Sequence, residues 1–220
     1  MNIKLTPPPF SWSYSKLSLY ESCPRKYKFR YIDNIPSPKH PAAERGTNIH
    51  QGVEDYLHHK TEAMPPEVVD FEHIIAEVRT FKPQIEHKIS FDMNWELTPW
   101  SGAGGKGVVD SLYLAKQAVE LQEWKSGKIY EDHQDQRKLY AALGLLLHPT
   151  ADKATIRTYY FDQKKITKLE LVRDDTQEIF DEFSQRVYFM TTDDELAPRP
   201  GWYCQFCPYS RYKGGKCKLG

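Results

Sequence analysis

The chain has no long apolar run: nothing in its 220 residues approaches the roughly 18 consecutive apolar positions that a membrane helix needs. Leu143-Gly144-Leu145-Leu146-Leu147 reads only as the end of an amphipathic helix. The opening Met1-Asn2-Ile3-Lys4, followed by Pro7-Pro8-Pro9, lacks the apolar core of a secretory signal. A cytoplasmic protein with no membrane contact is the expectation. The chain also lacks net charge, with 30 Lys and Arg against 30 Asp and Glu, so no global basic field attracts a polyanion. There is no internal repeat and no low-complexity tract. Cysteine is scarce at four residues, too few and too unevenly placed for a disulfide framework in a reducing compartment. What is present is a hydrophobic fraction of 40%, enough for one α/β domain spanning residues 1–220.

The charge is not spread evenly. Residues 1–60 hold nine Lys and Arg against five Asp and Glu, and Arg25, Lys26, Lys28 and Arg30 fall in one short stretch. That is either a solvated helix face or a phosphate-contacting surface. Periodicity predicts a helix over 13–31, interrupted near Pro24, then a Pro-rich loop at Ile35–Pro41. Helices follow at 43–61 and 67–80, then a strand at 84–92. The glycine-rich Ser101–Gly107 leads into two alternating segments, 107–114 and 118–125. A helix at 132–147, strands at 154–161 and 166–172, a helix at 174–191 and a loop-rich tail complete the order. A helix between the hairpin and the next strand predicts a mixed sheet flanked by helices.

The two alternating segments carry the chemistry. A tight turn at Lys116-Gln117 would place Asp110 opposite Glu123, with Cβ atoms about 5 Å apart. Val108, Asp110 and Leu112 would share one face, as would Val119, Leu121, Glu123 and Lys125. Two carboxylates and a lysine make poor core material, since burying them unpaired costs several kcal/mol or shifts their pKa values. A hard cation would satisfy both carboxylates. On the preceding helix His50 shares a face with Val53, Glu54 and Leu57 and so points inward. Glu86, on the strand before the hairpin, is a candidate for a further carboxylate. Gln136 and Tyr140, four apart on one helix, face the same way.

Asp110 with Glu123-Trp124-Lys125 resembles the PD-(D/E)XK nuclease superfamily, with Val109 in place of the nominal proline. Ser13 through Tyr31, Arg45-Gly46-Thr47-Asn48-Ile49-His50 and Gln136-Arg137-Lys138-Leu139-Tyr140 resemble, in order, motifs of its RecB-like branch. That branch includes the nuclease domains of RecB and AddB, the CRISPR adaptation nucleases, the mitochondrial genome-maintenance exonuclease and small phage exonucleases. The resemblance implies an α/β nuclease core at about 43–172, in which the N-terminal helix and the cysteine-bearing tail pack together. It implies that Asp110, Glu123 and the Trp124 carbonyl bind one Mg²⁺ or Mn²⁺, and that His50 with Asp110 binds a second. Lys125 would position the attacking water or stabilise developing charge, with Gln136 and Tyr140 in support.

Cys204-Gln205-Phe206-Cys207, with Cys217 and the distant Cys23, form a second constellation. Four thiolates satisfy a cubane cluster or a tetrahedral zinc, or they stand unliganded. The resemblance implies a [4Fe–4S] cluster stapling the chain ends, although the Cys207–Cys217 gap exceeds the spacing usual in the family. Tyr14, Tyr20, Tyr27, Tyr31 and Trp100 are candidates for stacking on bases, each worth about 1–3 kcal/mol.

The resulting expectation is a metal-dependent exonuclease acting on single-stranded DNA from a free end. It would serve replication, recombination or repair in a bacterial or phage-infected cell, with a recombination or replication protein as partner. An endonuclease with the same motifs, or a non-catalytic DNA-binding recombination partner, are the alternatives.

Overall fold

Alternation of apolar and polar residues builds five strands. In the computed structural model, which describes residues 11–38, 41–130 and 132–219, they form one sheet in the order β1-β2-β3-β4-β5. The strands are β1 (Gln84–Phe91), β2 (Gly105–Ala115), β3 (Ala118–Lys125), β4 (Lys153–Tyr160) and β5 (Lys165–Val172). Pro7–Pro9, Lys39 and His40 lie outside the described residues. Three neighbouring pairs are antiparallel and β3–β4 is parallel. A parallel pair requires a crossover, and α5 (Asp132–Leu147) supplies it. The sheet is therefore mixed, as the element order predicts.

Helices cover both faces. On one side α5 and α6 (Thr176–Thr192), together with α1 (Tyr14–Ser22), bury Leu17, Leu139, Leu143, Phe183 and Val187 against Val109, Leu112, Val119 and Leu121. On the other, α3 (Pro41–Leu57) and α4 (Glu72–Thr80) bury Ile49, Val53, Leu57 and Ile75 against Trp124, Tyr159 and Phe161. The two clusters are the apolar faces of one two-sided sheet.

Several boundaries differ from the periodicity reading. The first helix ends at Ser22, because Pro24 cannot donate to the turn before it. A four-residue α2 (Pro24–Tyr27) and a π-helical turn, Lys28–Ile32, follow. The third helix stops at Leu57, ahead of His59 with its φ of 59°. The fourth begins as a 3₁₀ turn, Pro66–Phe71.

The strand faces also differ, and here the difference matters. Strict alternation would keep Val108, Asp110 and Leu112 on one face. In the structure Val109 and Leu112 both join the α5-side cluster, so β2 exchanges faces between them. β1 does the same: Ile85 packs on the α3 side, Ile89 and Phe91 on the α5 side. The ladder runs Ile85↔Ser111 and then His87↔Val109, and the step between, Glu86 with Asp110, is broken. Glu86 has a φ of 48°, the left-handed region that costs a residue with a Cβ about 1–2 kcal/mol. Sequence alternation carries no sign of this kink.

The chain ends meet. Tyr20 donates to Asp193 at 2.9 Å, Arg25 Nε to the Leu196 carbonyl at 3.0 Å, and Tyr209 to the Ile35 carbonyl at 3.0 Å. Phe29 and Tyr209 pack edge to face. Arg186 of α6 reaches Glu21 at 2.7 Å and Asp135 at 2.9 Å, tying α1 to α5. No helix among the described residues is long and apolar enough to cross a membrane.

Candidate active site

The β2–β3 hairpin zips from Ala115↔Ala118 to Ser111↔Gln122. One further step in that register sets Asp110 across from Glu123. There the strands part, and a short bridge from Trp12 to Gly105 takes up the vacated edge of β2. The fork leaves backbone groups to satisfy, and Asp110 Oδ2 accepts the Trp124 N–H at 2.6 Å. Of Trp124, the backbone meets the site, while its indole packs in the α3-side cluster with Tyr159 and Phe161.

Asp110 Oδ1 faces His50 Nδ1 at 3.6 Å. Gly46, one turn earlier on α3, lets that helix approach: a Cβ there would lie 2.8 Å from Ser126 Oγ, just past the end of β3. The kink in β1 aims Glu86 at the same spot. Each of His50, Glu86 and Asp110 offers a ligand atom within 4.8 Å of the others, and they are the only such trio among the described residues. Sequence reasoning gave Glu86 only a minor place, because its position depends on a backbone turn.

Glu123 points to the α5 side of the fork. Lys125 Nζ lies 2.7 Å and Gln136 Nε2 3.0 Å from its Oε1. Its Oε2 is buried and has no partner among the described residues. Tyr140, one turn beyond Gln136 on the same helix, is buried beside it and feels the Glu123 charge. A cleft beside Lys125 and Gln136 is lined by Tyr14, Ser15, Ser18 and Ser22 of α1 and by His133. The serine spacing, 15-18-22, is a helical face that the sequence displayed without marking its neighbour.

The electrostatics follow from burial. Burial first, then the Asp110 charge, pushes the Glu123 carboxyl up to about 7. Burial likewise raises Glu86, and the charges of Asp110 and Glu54 add to it. Burial acts to lower His50, but the facing Asp110 carboxylate and the Glu123 charge outweigh that and raise it. Burial also acts to lower Lys125, and Glu123 holds it above its ordinary value instead. Burial raises the Tyr140 phenol well beyond its ordinary range, so its hydroxyl stays protonated.

These groups fit a divalent cation. Carboxylate oxygens converge from Asp110 and Glu86, an imidazole completes the trio, and a buried carboxylate oxygen of Glu123 lacks a partner among the described residues. Oxygen ligands suit magnesium, and an added imidazole suits manganese.

Arg25 and Lys26 lie elsewhere, at a small cavity walled by all four cysteines, Cys23, Cys204, Cys207 and Cys217. All four are free thiols, and Cys23 is buried. No three of their sulfurs come within 4.8 Å of one another. Lys28 pairs with Asp33 at 2.5 Å, and Arg30 stacks over the Tyr31 ring at 5.3 Å.

No curated protein matches the chain in sequence. Among solved structures, SSO0001 is similar at 16% identity, covering 99% of this chain and 89% of its own, with a TM-score of 0.49. A Eubacterium rectale protein assigned as an exonuclease is similar at 12% identity, covering 90% and 86%, with a TM-score of 0.54. At such identity the second likeness speaks for the fold alone. The profile of the PD-(D/E)XK nuclease superfamily matches residues 11–212, a span that takes in α1, the His50 helix, the forked hairpin and α5. The chain therefore belongs to the PD-(D/E)XK nuclease superfamily.

Proposed function

We propose that this protein is a divalent-metal-dependent deoxyribonuclease that degrades single-stranded DNA from a free end. The observation that carries the reading is the buried, unpartnered Glu123 Oε2 beside Asp110 and Lys125. A solitary buried carboxylate oxygen is costly, and a cation together with substrate removes that cost. Asp110, Glu86 and His50, whose ligand atoms converge, would hold the metal, and Glu123 would join them from across the fork. When bound, it would lower the pKa of a water and neutralise charge on the scissile phosphate. Gln136 and Lys125 hold Glu123 by its Oε1, so Oε2 is the oxygen left for a cation. Lys125, held by Glu123 at 2.7 Å, offers its remaining N–H groups to a phosphate oxygen or to the attacking water. Tyr140, kept protonated, would support Gln136 from one turn along the same helix.

The test is product analysis on end-labelled linear and on circular single-stranded DNA with Mn²⁺ or Mg²⁺. Loss of the linear form to short 5′-phosphorylated products, with the circle spared, is the expected result. Cleavage of the circle would assign an endonuclease. Binding without cleavage of either would assign a DNA-binding partner protein in replication, recombination or repair.

The same reading gives the four cysteines a [4Fe–4S] cluster. Their support is the shared cavity, which all four thiols line. A reducing cytoplasm keeps such thiols available. Anaerobically prepared protein should be brown, and a colourless protein with stoichiometric zinc would replace iron in the reading.

A further inference from the structure

Beyond the kink, the α3-side face of β1 and β2 changes character. Lys88 and Ser90 point there, since Ile89 and Phe91 are buried on the opposite side. Their ladder partners Val108 and Lys106 share that face. The loop between the two strands lays Trp100 over it, 38% exposed. Lys106 Nζ stands 4.8 Å and Lys88 Nζ 5.6 Å from the indole centroid. Neither lysine has a carboxylate within ion-pair distance among the described residues, although the chain as a whole is neutral. Lys16 of α1 adds a third cation: burial and then the Lys106 charge lower its pKa. Its Nζ lies 5.5 Å from the Tyr31 ring, which Arg30 also covers.

The patch continues the candidate metal site along the same two strands. Lys88 is two residues from Glu86 and Lys106 four from Asp110, or about 7 Å and 13 Å at the rise of an extended strand. Like charges gathered around an exposed ring repel one another unless an anion lies between them. A polyanion with flat rings at regular intervals meets both demands, and single-stranded DNA leaves those rings free to stack. A duplex keeps its bases stacked on each other, and an acidic peptide offers no ring at the needed spacing.

We infer that Trp100, Lys88 and Lys106 form a subsite that holds the strand adjoining the scissile bond, with an unpaired base on the indole and its phosphates on the two lysines. This rests on the nuclease reading for its place beside the reacting centre. It does not rest on cleavage for its test.

The test is fluorescence anisotropy of a labelled oligothymidylate with Mn²⁺, in a Lys125→Ala background that keeps the candidate metal ligands. Adding Trp100→Ala should weaken binding by roughly 5- to 150-fold, the range found for one base–aromatic stack. Trp100→Phe should restore most of it. Adding Lys88→Ala and Lys106→Ala should flatten the salt dependence, by about 0.7 in log–log slope for each phosphate no longer neutralised. A hairpin duplex should respond to the lysines and hardly to Trp100. Unchanged affinity and slope would overturn the subsite, as would an equal loss for single strand and duplex on Trp100→Ala, or a background protein that leaves the oligonucleotide free. Wild-type cleavage with unchanged binding in these variants removes the subsite and keeps the nuclease. Trp100-dependent binding without wild-type cleavage keeps the subsite and removes the nuclease.

Discussion

Without metal, Glu123 should make the fold sensitive to pH between about 4.5 and about 7. Its carboxyl is pushed from an ordinary 4.5 up to about 7 by burial and by Asp110. A raised acid binds its proton more tightly in the folded state than in the unfolded one. Stability is therefore full below about 4.5, declines as pH rises toward about 7, and levels off beyond. At about 1.4 kcal/mol per pKa unit the loss is up to about 3 kcal/mol. His50 acts in the same sense: its raised pKa contributes stability below about 6.5 that is lost as pH rises through the folded value. For a chain of this size, about 1 kcal/mol moves the Tm by about 2–4 °C. Glu123→Gln keeps the shape and removes the charge. It also strips Lys125 of its ion pair at 2.7 Å, which offsets part of the gain. In EDTA, thermal melts of the two proteins should lie close together near pH 5. By pH 8 the glutamine variant should melt higher, by several degrees and at most about 10 °C. Saturating Mn²⁺ should close that gap by stabilising only the wild type. A gap independent of pH, or a glutamine variant less stable throughout, would refute the account of Glu123 as an unsatisfied buried carboxylate.

Asp110→Asn and Glu123→Gln should each lower single-strand cleavage by at least about 100-fold, and Lys125→Ala by a similar factor while Mn²⁺ binding persists; steady-state rates and metal titration check both. Glu86→Gly should relieve the left-handed backbone, leaving stability equal or up to about 1 kcal/mol higher by denaturant melts, yet weaken Mn²⁺ binding measurably. His50→Ala should weaken Mn²⁺ binding with the fold retained by circular dichroism, since Ile49, Val53 and Leu57 carry that helix's apolar contacts. Cys23→Ser should cost stability more than chemistry, because its cavity is walled by the chain ends and not by Asp110, Glu123 or Lys125.

What the sequence made legible was local. Alternation over 107–125 located the hairpin, and counting across its turn paired Asp110 with Glu123 in the register that the backbone adopts. The spacing of Gln136 and Tyr140 put both on the helix face that reaches Glu123. What it hid was set by a backbone irregularity. Period-two reasoning assumes a strand keeps its faces, and β1 and β2 exchange theirs at Glu86 and Asp110. The basic stretch 25–30 was legible as charge but not as location: Arg25 and Lys26 wall the cysteine cavity, and Lys28 is held by Asp33.

The face exchange also explains why the candidate site sits where it does. A regular pair of strands would aim Asp110 and Leu112 the same way, burying the carboxylate among the apolar residues packed on α5. The kink lets Leu112 stay in that core while Asp110 turns to the fork, accepting the Trp124 N–H with one oxygen and facing His50 with the other. Glu123, on the unkinked β3, remains on the α5 side, where Gln136 and Lys125 hold it. Asp110, with Glu86 and His50 gathered on it, and Glu123 thus flank the fork from the two faces of a single sheet. The strain at Glu86, about 1–2 kcal/mol, is small beside the several kcal/mol of a misdirected buried carboxylate. The left-handed turn at Glu86 is what brings its carboxylate to Asp110 and His50.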